Sequence, residues 1–231
     1  THVEEILLSD DREPRASGVR AMSMRGPTKG ESIEYLAKDA VISNVDQKML
    51  RKLVPRGKHS KFDEKMDALI EGTPNLASFI HLHAGIDAED LPSISEELPG
   101  QWAYVRDWDA DGGIEAPRNC VLVSVPSLID PSLAPPGKHV IHAYTPATEP
   151  WEDWKDLDPK GFIYRAKKTE AASYLWEAVE QYIPNARRRS IKSVEQVGTP
   201  LTHARFLRRA EGSYGPRIEA GAGQLPQHKT A

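Results

Sequence analysis

The pattern of apolar and polar positions divides the 231-residue chain into stretches of different rhythm. Residues 2–8, 18–24 and 33–43 read as strands, the last ending in the apolar run Ala40, Val41, Ile42. Strands of this length, separated by the turn-formers of 10–14 and 26–30, predict a three-stranded meander. A helical rhythm begins after Asn44. Asp46 is placed to cap a helix running to Leu53, which Pro55 and Gly57 end, and Phe62, Met66, Leu69 and Ile70 repeat at helical spacing. Four strand-like segments follow at 77–86, 102–108, 120–126 and 139–144, and their short Pro- and Gly-bearing connections predict antiparallel pairing. The clearest helix spans 159–183, with Ala172, Leu175, Trp176, Val179 and Ile183 on one face. A strand at 191–197, a short helix at 201–209 and a loop-like tail from Gly212 complete the chain. The expected fold class is α+β: a β-meander, then an antiparallel sheet backed by helices.

Composition narrows the classes. Hydrophobic residues make up 39% and charged residues 28%, which suits a globular fold. No run approaches the roughly 18–20 apolar residues that span a bilayer. A formal charge of −4 gives no electrostatic case for nucleic acid. The one cysteine, Cys120, rules out an internal disulfide and any multi-cysteine metal site, and it permits a reducing compartment. A strand at the first residues and a loop at the last predict ends that lie inside a longer protein.

Side-chain chemistry assigns little. His81 and His83 share one face of a strand, and Asp87 is the nearest residue able to join them as a metal ligand. No third ligand is fixed by spacing, so a polar strip on a half-exposed sheet is the expectation and no metal site is predicted. His139 and His142 lie in opposite phases of another strand and make no site together. The acidic stretch from Asp107 to Asp111 has Arg118 where a calcium loop needs its final Glu, which leaves a solvated turn. Arg187, Arg188 and Arg189, and Arg208 with Arg209, are basic clusters suited to solvent, to helix ends, or to anionic lipid headgroups. Gly221 and Gly223 form no dinucleotide loop, since Pro226 occupies the third glycine position. The five tryptophans either line an apolar cavity or pack the core, and core packing is the default. Cys120 opens a buried-looking strand and is expected to be inert. No nucleophile elbow is present, and no catalytic residue is assigned.

Longer strings carry a resemblance. LAPPGKHVIHAYTP at 133–146 and VGTPLTHARFLRR at 197–209, continued by GSYGP at 212–216, resemble the substrate-domain signatures of carotenoid (prolycopene) isomerases. FIHLHAGID at 79–87 and VSVPS at 123–127 match too, in the same order. These isomerases form a branch of the phytoene-desaturase-like, two-domain α/β flavoproteins. The resemblance implies part of a flavin (FAD) domain at 1–44, a substrate domain at 45–196, and a segment at 197–231 returning toward the flavin domain. The glycine-rich strand–turn–helix of the family and its terminal Gly-Asp segment are absent from the sequence. By the same resemblance Val3 takes the place of a strand valine that meets the adenine edge, and Ser43 and Asn44 are weaker flavin contacts. The activity implied is conversion of poly-cis lycopene to the all-trans form with reduced FAD. A carotenoid polyene is the implied partner, with peripheral contact to a plastid membrane, or to a cytoplasmic or thylakoid membrane surface in a cyanobacterium. Retinol saturase or carotene desaturase chemistry, or a non-catalytic carotenoid- or lipid-binding domain, are the alternatives. The 231-residue chain alone is expected to be inactive.

Overall fold

The computed structural model describes residues 1–95 and 97–217, so Gly221, Gly223 and Pro226 lie outside the described residues. The chain forms two compact units, Thr1–Asn75 with the chain from Gly215, and Leu76–Tyr214. The boundaries expected after residues 44 and 196 do not coincide with these divisions.

In the first unit, β1 (His2–Leu8), β2 (Ala16–Met22) and β3 (Ser32–Leu36) form an antiparallel sheet in the order β1-β2-β3. The strand expected at 33–43 stops at Leu36. Ala40, Val41 and Ile42 belong to no strand, and Ile42 is 94% exposed. An apolar run makes a buried strand only where it has a pairing partner and a covering layer; β3 is already an edge of its sheet. Helix α1 (Gln47–Leu53) begins where expected, with the Asp46 carboxylate accepting the Met49 N–H at 2.8 Å. Helix α2 (Ser60–Glu71) is tied to it through Arg51, a nearly buried side chain that meets Asp63 at 2.8 Å and Asp67 at 3.0 Å. Contacts of α1 with both α2 and β1 group the helices with the meander.

The second unit is built on β4 (His81–Asp87), β5 (Gln101–Val105), β6 (Cys120–Ser124), β7 (Lys138–Tyr144) and β8 (Gln196–Gly198). They form one antiparallel sheet in the order β5-β6-β7-β4-β8. Helix α3 (Phe162–Val179) covers one face and packs against β4, β6 and β7. Its buried residues Ala171, Leu175, Trp176 and Val179 share a core with Leu82, Ala84, Ile86, Val121, Val123, Ile141 and Ala143. Each large aliphatic side chain so buried contributes about 1.5–3 kcal/mol. The five positions expected on the helix's apolar face are all buried, including Ile183 just beyond its end.

Trp154 and Trp176 lie inside this core and Trp102 packs against it, its indole N–H donating to the Ala178 carbonyl at 2.9 Å. Trp108 is 76% exposed. Trp154 and Trp176 therefore serve packing, Trp108 does not, and Trp102 both packs against the core and borders a hollow on the other face. The strand expected at 191–197 is instead a short 3₁₀ turn at Lys192–Val194 followed by β8. Of its apolar positions, Ile191 precedes the turn, Val194 ends it and Val197 lies in β8. Short α4 (Ala186–Arg189) and α5 (Pro200–Phe206) flank this segment. Among the described residues no helix is long and apolar enough to cross a membrane.

Candidate functional site

Because side chains alternate along a strand, the residues of β4 divide sharply between two faces. Leu82, Ala84 and Ile86 are buried under α3, while His81, His83, Gly85 and Asp87 point to the other side and are partly or fully exposed. In β7 the core takes Ile141 and Ala143, leaving Val140, His142 and Tyr144 in the opposite phase. Antiparallel register then sets His83 opposite His142 and His81 opposite Tyr144, with Leu122 and Ser124 of β6 continuing the row. Gly198 of β8 lies across from His81 on the other side.

The rings interlock. His83 and His142 stack at a centroid distance of 4.3 Å with planes 1° apart, and Tyr144 stacks on His142 at 5.0 Å. His81 meets His83 edge-on at 4.7 Å and His203 of α5 edge-on at 4.7 Å. Phe79 stacks on His203 at 4.0 Å. The position opposite His81 has to be glycine: a Cβ on Gly198 would come within 1.9 Å of His81 Nε2. Gly212 has a similar reason, since its φ of +59° is left-handed and a Cβ there would approach the Pro200 carbonyl oxygen at 2.3 Å.

Two hollows lie along this face. One of about 760 Å³ is lined by Phe79, His81, His83, Leu122, His142 and Tyr144, among others. A second of about 480 Å³ is lined mainly by apolar groups, including Pro135, Val140, Ile191 and Val194, and shares His83 with the first. Together they make an open trough following the β4–β7 pair. Strands of seven residues give it a length of roughly 20 Å.

The trough carries little charge at its aromatic end. Burial, with the neighbouring His203, His83 and His142 acting in the same direction, lowers the His81 imidazole to about 3. Burial followed by the effect of His83 lowers His142 to about 4, and burial lowers His203 to about 4. His83 is also pushed down by burial. In each ring the shift favours the neutral form. His142 Nε2 and His203 Nε2 are sealed from solvent and meet no hydrogen-bond partner among the described residues. Such a surface suits an apolar, conjugated ligand more than a charged one.

The sequence-predicted positions fall as follows. His81 and His83 share a face as expected, but the residue that joins them is His142. Asp87 forms an ion pair with Lys138 instead. His139 faces away from His142 and sits 3.0 Å from the Ser127 hydroxyl. The 107–113 stretch is a turn organised by Asn119, whose side-chain oxygen accepts the Asp107 N–H at 2.9 Å. Cys120 is buried, and burial raises its thiol pKa. Val3 is half-buried on β1, opposite Ala21, where the ladder shifts between Val3 and Glu5. Ser43 and Asn44 are exposed residues in an irregular stretch.

No family model matches the chain. Over 215 residues it is 33% identical to the chloroplastic prolycopene isomerase of Arabidopsis thaliana, covering 93% of this chain and 32% of that protein. The chloroplastic prolycopene isomerase of Daucus carota is 30% identical over 183 residues, which cover 79% of this chain and 28% of that protein. A rat protein, pyridine nucleotide-disulfide oxidoreductase domain-containing protein 2, is 29% identical over 126 residues, covering 52% of this chain and 19% of its own length. A solved oxidoreductase from Methanosarcina mazei is 16% identical with a TM-score of 0.40, over 85% of this chain and 36% of that one. The chain is thus a homologue of prolycopene isomerases along nearly its whole length, and it spans about a third of theirs.

Proposed function

We propose that this chain is the substrate-holding part of an FAD-dependent carotenoid isomerase, and that a poly-cis polyene lies along the β4–β7 trough. The observation that carries this reading is the row of uncharged, stacked rings running into an apolar hollow on the sheet face left open by α3. A polyene presents π-faces and no hydrogen-bonding groups. Neutral imidazoles and a tyrosine ring meet it by stacking, whereas a charged floor would lose hydration energy when covered. Val140, Ile191 and Val194 offer apolar contact at the far end.

Reduced FAD, when bound, would supply electrons that lower the order of a polyene double bond long enough for it to rotate. The residues present fit one part of a flavin contact. Among the described residues β1 is an edge strand, and one side of its backbone would meet a heterocycle at Val3, where the ladder is already irregular. Ser43 and Asn44 are open to solvent and enclose nothing. The flavin phosphates would be held by the remainder of a longer protein.

Plastid localisation follows the chloroplastic relatives under this proposal, with a cyanobacterial membrane surface as the equivalent if the source has no plastid. Peripheral membrane contact is supported by Phe206 and Leu207, 70% and 57% exposed, next to the exposed Arg205, Arg208 and Arg209. The relationship to a pyridine nucleotide-disulfide oxidoreductase domain protein favours one rival, net redox chemistry on a related polyene. The test is to incubate the full-length protein with reduced FAD and poly-cis lycopene and to determine product geometry and mass. An all-trans product of unchanged mass supports isomerisation; gain or loss of a pair of hydrogens would establish the saturase or desaturase reading instead.

A further inference from the structure

We propose that His81, His83 and His142 form a binding site for a divalent transition-metal ion of the zinc, cobalt or nickel type. The case rests on geometry that no local spacing reveals. Strand alternation puts His81 and His83 side by side, and the β4–β7 register brings His142 directly across from His83. One ring nitrogen from each residue lies within 4.8 Å of the other two. A zinc ion with Zn–N bonds of about 2.0–2.1 Å in tetrahedral geometry needs its ligand nitrogens about 3.3 Å apart. The contraction required is therefore about 1.5 Å at most, and because His83 and His142 stack with planes 1° apart, one of the two rings must also turn to another rotamer so that both lone pairs meet one ion.

Two further observations point the same way. His142 Nε2 is sealed from solvent without a hydrogen-bond partner among the described residues, a costly state for a ring nitrogen unless a ligand meets it. His203 and Phe79 brace His81 from behind, limiting its rotamers as a supporting shell does. The donor set decides the class of ion. Three imidazoles with no carboxylate suit zinc, cobalt, nickel or copper and do not suit calcium or magnesium, which demand oxygen ligands. Three protein ligands leave a coordination position facing the trough, open to water or another small ligand. The site uses rings that also floor the trough, so an ion held there puts charge beneath a polyene, and the metal test below therefore reads binding with no polyene present.

The test is titration of the metal-stripped full chain with Co²⁺ alone, followed by visible absorption, and with Zn²⁺ alone, followed by calorimetry. One ion per chain is expected, with the intense d–d bands of a low-symmetry cobalt site. Removing an outer partner of a metal ligand typically weakens affinity by about 10- to 100-fold, and loss of a direct ligand should cost at least as much. His83→Gln and His142→Gln should each do so, while His2→Gln, in the other unit, changes nothing. Because His83 is exposed, His83→Gln should fold even if His142→Gln does not, and circular dichroism checks both. No saturable one-to-one binding, or equal affinity in folded His83→Gln and the unaltered chain, would overturn the site.

Discussion

Gly198→Ala tests the packing of the site without replacing any of its rings. The added Cβ would stand 1.9 Å from His81 Nε2, 2.2 Å from Cδ2 and 3.0 Å from Cε1. Ordinary contact begins at 3.4 Å, so the ring must retreat by 3.4 − 1.9 = 1.5 Å or the β4–β8 pair must part. Phe79, His83 and His203 surround that ring with centroids 4.7–5.4 Å away, so there is little free space to retreat into. Overpacking of this kind costs about 1–3 kcal/mol. The substitution also stiffens the unfolded chain, which returns about 0.4–1 kcal/mol. The expected net effect is a destabilisation of up to about 2.5 kcal/mol, read from urea unfolding, with displaced His81 ring resonances in long-range ¹H–¹⁵N spectra. Cobalt affinity should fall in parallel. A variant more stable than the parent, with His81 resonances unmoved, would show that the crowding around His81 has been misread.

Other predictions concern charge and pH. Glu149 is fully buried and receives a two-pronged contact from Arg118, at 3.1 and 2.7 Å, and the Trp154 indole N–H at 2.6 Å. Arg118→Met leaves that carboxylate buried without its counter-charge and should cost about 3–5 kcal/mol in urea unfolding. Since Met must adopt the same left-handed backbone, with Arg118 at φ 61°, the loss reports the ion pair; a change below about 1 kcal/mol would contradict it. In chelator-containing buffer, stability should fall as pH drops from about 6.5 toward 4. His81, His142 and His203 have folded pKa values below the unfolded one, so the unfolded chain binds more protons across that window, and acid favours it. Flat stability between pH 7.5 and 4.5 would show that these rings are not buried as described. Asp46→Ala removes the cap of α1 and should cost about 0.5–2 kcal/mol, measured in the same way.

The parts of this fold that were legible in the sequence are those set by local periodicity. The apolar face of α3, the alternation in β4 and the Asp46 cap each depend on neighbours within a few positions. The misplaced strands fail for reasons of tertiary context. Val41 and Ile42 have strand-forming side chains but no partner strand among the described residues, and a 3₁₀ turn at Lys192–Val194 shortens the last strand to β8. The histidine cluster lay beyond local reading altogether. His142 is separated from His83 by 142 − 83 = 59 residues, and only the β4–β7 register brings the two rings together. A signal was nonetheless present: Ile141 and Ala143 mark the buried phase of β7, which assigns His142 and Tyr144 to the open face that His81 and His83 already share. The three named flavin contacts came from family resemblance alone, and no periodicity or spacing bears on them.

The most direct test of the central claim is to block the trough. In the full-length protein, Val140→Trp places a large ring on the floor of the apolar hollow, on the face away from the core. The measurement is turnover of poly-cis lycopene at saturating reduced FAD, with bound flavin quantified in the same samples. The trough assignment predicts lost turnover or a sharply raised KM with flavin content and folding unchanged. Parent-like turnover and KM in a folded, fully flavinated Val140→Trp protein would place the polyene elsewhere.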